Sequence, residues 1–183
     1  MKYKKLTGVI LKKQNYKEAD QILTVWTKEA GKVRVLAKSL RLPKSKLNYA
    51  VQDLGLSEID TVGSQLPVLI GAKCIRQFGS LREDLQKIAI GFYAAELMLK
   101  MTADEHPNET AFLLLKDFLY NLDKPTYSAQ DFGLLDSFSL DLLDALGFKF
   151  PQGPNPNHTD INKFIEYILE RNLKSESLLI SFS

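Results

Sequence analysis

Short runs of apolar residues alternating with polar ones dominate the first 78 residues of the chain. Runs rich in β-branched and aliphatic side chains fall at 6–16, 51–63 and 66–78, and two more flank Lys28-Glu29-Ala30-Gly31 within 20–39. That turn predicts a hairpin in which Gly31 takes a positive φ. About five short strands joined by glycine turns favour a small barrel over a sandwich.

The hydrophobic period changes from strand-like to helical at Gly79. Ser80-Leu81-Arg82-Glu83 has the form of a capping box, so a helix is predicted from there to about Thr102. Later segments predict two more helices and a last one capped by Thr159. These cover about 109–122, 128–146 and 159–172.

The remaining segments, together with the change from a strand-like to a helical hydrophobic period, define the domain organisation. The stretch PQGPNPN, 151–157, is predicted as a connecting loop, and the tail after it as a short strand or a frayed end. The sequence therefore predicts an α+β chain in two parts: a β-barrel over 1–78 and an all-α helical domain over 79–183.

The formal net charge of +2 conceals a strong asymmetry between these two parts. Residues 1–78 contain 15 Lys and Arg against 6 Asp and Glu, whereas residues 79–183 contain 9 against 16. The basic part is the candidate for binding phosphate. Two simpler explanations stay open at this point: a solvated face, or neutralisation of one part by the other within the fold.

Several classes of function lack their characteristic residues. Cys74 is the single cysteine, which excludes an internal disulfide and a cysteine-rich zinc site. No apolar run reaches the ~20 residues of a membrane span, and no signal-peptide core follows the first residues, so a cytoplasmic, soluble protein is expected. His106 and His158 lie in polar loops without a nucleophile nearby. No glycine-rich phosphate loop precedes a helix. The sequence predicts no enzyme, cofactor or metal.

The basic residues of the first part form an ordered stripe. Period-two geometry places Lys32, Arg34 and Lys38 on one strand face. Arg41, Lys44 and Lys46 continue the stripe in the following loop. Such a stripe attracts backbone phosphates without reading a base sequence. Exposed aromatic side chains among these lysines would stack unpaired bases; the candidates are Tyr3, Tyr16, Trp26 and Tyr49.

The same residues resemble a known family. The segment NYKEADQILTVWTKEAGKVRVLAKSLRLPKSKL is similar to the amino-terminal part of the RecO family of bacterial recombinational repair proteins. A Tyr-x-Glu-x-Asp stretch, a T-x-E-x-G-K hairpin and an A-K-G-x-R-x-x-K-S loop follow one another there in this order. The segments LREDLQKIAIGFYAAELM, LLDALGFKFP and YILERNLKSESLL resemble later parts of the family.

The resemblance implies a fold and a function. It implies an amino-terminal OB-fold barrel that binds single- and double-stranded DNA, and a helical domain. It further implies a mediator, nucleoid-associated in the bacterial cytoplasm, that anneals complementary strands. Its partners would be RecR, the C-terminal tail of single-strand-binding protein and, indirectly, RecA. The DNA-binding residues expected are Lys32, Arg34, Lys38, Arg41, Lys44 and Lys46.

The chain departs from the family pattern at two places. Many members carry a Cys-x-x-Cys zinc ribbon after the Gly-Phe-x-Pro stretch, where this chain has QGPNPNHTDIN without a cysteine. Ser39 stands where the family has Gly. Besides the mediator, the residues leave open an OB-fold adaptor for structured RNA, a protein-interaction scaffold and, more distantly, a nuclease or esterase.

Overall fold

The structure, a computed structural model, describes residues 2–128, 132–151 and 156–180. Its first part consists of five strands that follow the predicted runs. They are β1 (Tyr3–Tyr16), β2 (Asp20–Thr27), β3 (Gly31–Ala37), β4 (Leu56–Val62) and β5 (Val68–Arg76).

These strands form a closed barrel in the order β1-β2-β3-β5-β4, with β4 pairing back onto β1. The pairs are antiparallel except that of β3 with β5, which is parallel and consists of Leu36 opposite Val68. A five-stranded barrel followed by helices is the predicted OB-fold arrangement, so the fold class is confirmed. Leu23, Val35 and Ile59 are fully buried inside it.

The hairpin between β2 and β3 shows why Gly31 is needed. Gly31 takes φ +67°, and an added Cβ would lie 2.3 Å from the carbonyl oxygen of His106. Thr27 closes the turn, since its Oγ1 donates to the Gly31 carbonyl (2.9 Å) and accepts from the Ala30 N–H (3.1 Å). The positive φ predicted from the sequence is confirmed. The close approach of the His106 backbone is a second reason why glycine is needed here.

The second part is helical. Short α1 precedes the longer helices, and Glu176–Ile180 of the tail form a short helix rather than a strand. The helices are α1 (Gly79–Arg82), α2 (Leu85–Met101), α3 (Glu109–Leu122), α4 (Gly133–Ala145), α5 (His158–Leu169) and α6 (Glu176–Ile180). Residues 129–131 of the predicted third helix, 152–155 of the predicted loop and 181–183 of the tail lie outside the described residues.

Two predicted helix starts are wrong. Ser80 does not cap a long helix; Asp84 does, since its carboxylate accepts from the backbone N–H groups of Gln86 (2.8 Å) and Lys87 (3.2 Å). Thr159 is likewise replaced as a cap by Asn157, which forms a capping box with Asp160. In both places the helix begins at a different residue from the predicted one, and the side-chain oxygen of that residue, Asp84 or Asn157, accepts from the free N–H groups of the first turn.

The chain divides into two compact units. The barrel unit comprises Met1–Gln77 together with Ala103–Glu109, and the helical unit comprises Phe78–Thr102 and Thr110–Ser183. Ala103–Glu109 therefore groups with the strands although it lies between α2 and α3 in sequence. The domain boundary predicted at residues 78 and 79 stays a prediction.

Candidate nucleic-acid interface

A row of polar side chains crosses the outside of the barrel. Lys12 on β1 is opposite Thr24 on β2, which is opposite Arg34 on β3. Directly paired residues project from the same face of a sheet. Lys12 and Arg34 are exposed and Thr24 is half-buried. These three residues, called the outer row below, present one cation on each side of a hydroxyl group.

Lys12 was missed by the sequence analysis because a β-bulge determines its direction. Leu6 and Ile10 point into the core, so strict alternation would turn Lys12 inward as well. The pairing of β1 with β2 shifts between Ile10 and Lys12, which moves Lys12 to the outer face. Lys13 then takes the inward position, where it lies 3.9 Å from Asp53.

Lys32 is buried, unlike the other predicted cations. It lies on the same face of β3 as Arg34, but it is only 8% exposed. Its Nζ is 3.3 Å from Asp104 Oδ1, and its carbonyl accepts from the Glu105 N–H (2.9 Å). The predicted stripe is therefore interrupted at this end, where the acidic residues of 103–109 cover it.

The loop after β3 carries the remaining predicted cations and is held in place by residues 18–20 at the β1–β2 turn. Residues 38–46 are called the basic loop below. Ser39 takes φ 55°, and its N–H donates to Asp20 Oδ1 (2.7 Å). Arg41 donates from its N–H to the Ala19 carbonyl (3.0 Å) and from Nη1 to the Glu18 carbonyl (3.1 Å). The Tyr-x-Glu-x-Asp stretch thus fastens the basic loop beside the β1–β2 turn.

Leu40 is buried in the barrel core and anchors the basic loop there. The chain after Leu40 continues through successive hydrogen-bonded turns. All four of its cations are exposed: Lys38, Arg41, Lys44 and Lys46. In the described part of the chain, none of these four, nor Arg34, forms an ion pair with a carboxylate. Five of the six predicted cations are therefore available to an anionic ligand, and the outer row adds Lys12.

The aromatic candidates separate into exposed and buried ones. Tyr3, Tyr16 and Tyr49 are exposed, and Lys17 Nζ lies 5.5 Å from the Tyr16 ring centroid. Trp26 is only 1% exposed, so its ring is a core group and not a platform for a base.

Neither histidine lies at a site with obvious chemistry. His158 is half-buried at the start of α5, with Nδ1 2.6 Å from Asp136 Oδ1 and its ring stacked on Phe132. His106 is exposed in the Ala103–Glu109 segment. Among the residues that the structure describes, no three His, Cys, Asp or Glu side chains are grouped so as to hold a metal ion. No helix in this described portion is long and apolar enough to cross a membrane.

Comparison with known proteins gives two family matches. The model described as Recombination protein O N terminal matches residues 1–78, and that described as Recombination protein O C terminal matches residues 82–151. The second match ends at Pro151, where the zinc ribbon of many members was expected to begin.

Individual relatives agree with these matches. DNA repair protein RecO of Anaeromyxobacter sp. (strain K) is 37% identical over 122 residues, covering 65% of this chain and 48% of that protein. The protein of the same name from Dehalococcoides mccartyi (strain CBDB1) is 34% identical over 146 residues, covering 79% and 56%. That from Symbiobacterium thermophilum is 31% identical over 143 residues, covering 78% and 56%. The chain spans about half the length of these relatives, and it belongs to the RecO family of DNA repair proteins.

Proposed function

We propose that this chain is a DNA repair and recombination mediator that binds single- and double-stranded DNA and anneals complementary strands. With RecR, it would help to load RecA onto DNA coated by single-strand-binding protein. The family assignment supports the repair role, and the exposed cations of the outer row and the basic loop support binding to the sugar–phosphate backbone.

One observation carries the proposal: Arg34 and the four cations of the basic loop are exposed without carboxylate partners in the described residues. Cations that are already paired gain little from a phosphate, whereas unpaired ones neutralise it and release its counterions. The Ser39 N–H donates to the Asp20 carboxylate and the Arg41 N–H donates to the Ala19 carbonyl, which holds the loop and lowers the cost of ordering it on DNA.

Annealing follows from neutralisation of charge. Two complementary strands repel each other through their phosphates, and a protein that screens both lowers the repulsion that opposes their encounter. Base pairing then selects the correct partner, so the protein needs no direct contacts with base edges. This arrangement requires no catalytic group.

The test is a fluorescence titration of labelled single-stranded DNA at several salt concentrations. Each phosphate contact on a single strand contributes about −0.7 to the slope of log affinity against log salt, so R34A/R41A/K44A should flatten the slope by up to about 2. The matched control is K149A/K163A/R171A, which removes three exposed cations from the helical unit and should leave the slope unchanged. An unchanged slope in the first variant would exclude the outer row and the basic loop as the site.

Annealing and loading need separate assays. Complementary oligonucleotides should anneal faster with the wild-type protein than with R34A/R41A/K44A, with and without their coating protein.

Competition by structured RNA that exceeds competition by single-stranded DNA would favour the RNA adaptor instead. Salt-sensitive self-association without DNA binding would favour the scaffold. Loading of RecA is tested with RecR present.

The proposed contact with the tail of single-strand-binding protein belongs to the helical unit. Lys100, a cation of this unit, is engaged with Glu96 Oε1 (2.7 Å) and the Asn172 carbonyl (2.8 Å). Arg171 is exposed and follows α5, where Tyr167 is 80% exposed. An acidic tail with an apolar end would suit this pair, so Y167A/R171A should weaken binding of the tail peptide in calorimetry.

A further inference from the structure

The segment Ala103–Glu109, called the acidic connector below, is fastened to the β2–β3 hairpin by two ion pairs. Lys32 Nζ lies 3.3 Å from Asp104 Oδ1, and Lys28 Nζ lies 3.2 Å from Glu109 Oε1. Both cations belong to the basic half of the sequence. Two carboxylates therefore neutralise two cations of this hairpin.

Backbone contacts determine where the acidic connector lies. The Glu105 N–H donates to the Lys32 carbonyl (2.9 Å), and Lys32 forms an isolated parallel bridge with Asp104. Next to this bridge is a cavity of about 210 Å³ whose lining includes Lys4, Arg34 and Glu105. Asp104 and Glu105 thus line the same cavity as Arg34, a member of the outer row.

We propose that the acidic connector is a displaceable cover that competes with DNA phosphates for Lys28 and Lys32. This inference rests on the proposed function and concerns the regulation of that same surface. With the connector in place, the site consists of the outer row and the basic loop. When a strand displaces the two carboxylates, the site extends along the hairpin by two cations.

The exposure of these side chains favours displacement. The side chains of Asp104 and Glu109 are 68% and 66% exposed and that of Lys28 is 51% exposed, whereas that of Lys32 is 10% exposed. The Lys28–Glu109 pair, exposed at both ends, is weak and screened by salt, and the Lys32–Asp104 pair is open to solvent from the Asp104 side. A polyanion that releases its own counterions can replace them, while the backbone bond of Glu105 keeps the segment nearby.

The experiment compares the salt dependence of single-stranded DNA binding in full-length variants. D104N/E109Q removes both competing charges, so the slope should steepen by up to about 1.4, which is about 0.7 for each cation that loses its carboxylate. Affinity at low salt should rise several-fold. E109Q alone, which changes an exposed side chain, should steepen the slope by about 0.7 and guards against misfolding of the double variant.

Two further variants make the result specific. E58Q removes a carboxylate of the same barrel unit that is paired with Lys5 (2.9 Å), and it should leave the slope unchanged. K28A/K32A in the D104N/E109Q background should return the slope to the wild-type value, because the gain requires those two cations. Circular dichroism checks that each variant is folded.

The outcomes separate this inference from the proposed function. One outcome would exclude the cover but keep the proposed function. In it, the wild type binds DNA and R34A/R41A/K44A flattens the salt slope, but D104N/E109Q and E109Q leave the slope unchanged. If neither wild type nor D104N/E109Q binds DNA, both fail. A steeper slope that E58Q reproduces would also overturn the cover, because a general loss of negative charge would then explain it.

Discussion

Lys32 Nζ lies 3.3 Å from Asp104 Oδ1, so the ammonium that alternation along β3 directs outward is covered by an acidic residue from the other half of the sequence. Arg34, two residues further on the same face, is exposed. Two cations that the sequence treats alike therefore have different surroundings.

This difference predicts different effects of substitution. R34A should flatten the salt slope of single-stranded DNA binding by about 0.7, because it removes one phosphate contact. K32A should leave the wild-type slope unchanged and lower stability by about 1 kcal/mol through loss of its ion pair and packed stem. Titration at four salt concentrations and urea denaturation measure the two effects. Equal slope changes in both variants would contradict the prediction.

Lys12 and Lys13 form a natural pair for testing the bulge in β1. K12A should flatten the salt slope by about 0.7, since Lys12 belongs to the outer row. K13A should not, because Lys13 faces inward near Asp53. The same titration compares the two variants, which differ by one position and carry the same change in charge. A larger effect from K13A would show that the outer row is not the DNA-binding face.

Local patterns explain which features could be predicted from the sequence. The helix over Glu109–Leu122 has the predicted ends, and the β2–β3 hairpin turns where Gly31 predicts it. Both depend on residues within a few positions of one another. The exposed cations of the basic loop were also found, because proline, serine and charge in one short stretch are typical of a surface loop.

Features that depend on distant residues could not be predicted in this way. The outward direction of Lys12 follows from a bulge set by strand pairing, which no local alternation reveals. The burial of Lys32 depends on Asp104, a residue the sequence analysis assigned to the helical part. Trp26 is buried although Lys28 lies two residues away in sequence, since position in a pleated sheet, not neighbours along the chain, decides exposure.

Ser39 provides a stabilising substitution. It holds φ 55° in the left-handed region, which costs a residue with a side chain more than it costs glycine. S39G should raise the free energy of unfolding by about 0.5–1 kcal/mol and leave the salt slope unchanged, because its N–H still donates to Asp20. S45G, without a positive φ, should lower stability instead. Urea denaturation distinguishes them, and a loss of stability in S39G would contradict this explanation.

Glu96 makes the stability of the helical unit depend on pH. Burial would raise its pKa, but hydrogen bonds from Lys100, Ser175 and the Lys174 backbone outweigh this and lower the pKa from 4.5 to about 2. A carboxyl whose pKa is lower in the folded state stabilises it above the unfolded pKa and loses that contribution as pH falls. The contribution should therefore be complete above about pH 5 and disappear between pH 4.5 and 2.

The variant E96Q isolates this contribution. At neutral pH it should be less stable than wild type by about 1–3 kcal/mol, because it loses charge-assisted hydrogen bonds. The difference between the two should shrink as pH falls through the window from 4.5 to 2. D144N, which removes an exposed carboxylate of the same unit, should match wild type throughout. A difference between E96Q and wild type that stays constant from pH 7 to about 2.5 would exclude the carboxylate as its source.

Two glycines with positive φ separate backbone strain from steric contact. Gly147 takes φ +85° with nothing within 4 Å of a Cβ placed there, so G147A should cost only the left-handed strain, about 1–2 kcal/mol. Gly31 takes φ +67°, and its Cβ would also meet the His106 carbonyl oxygen at 2.3 Å, a backbone atom that no side-chain rotation can move. G31A should therefore destabilise the protein by at least about 1 kcal/mol more than G147A in urea denaturation. Equal losses in the two variants would mean that the acidic connector yields freely at this contact.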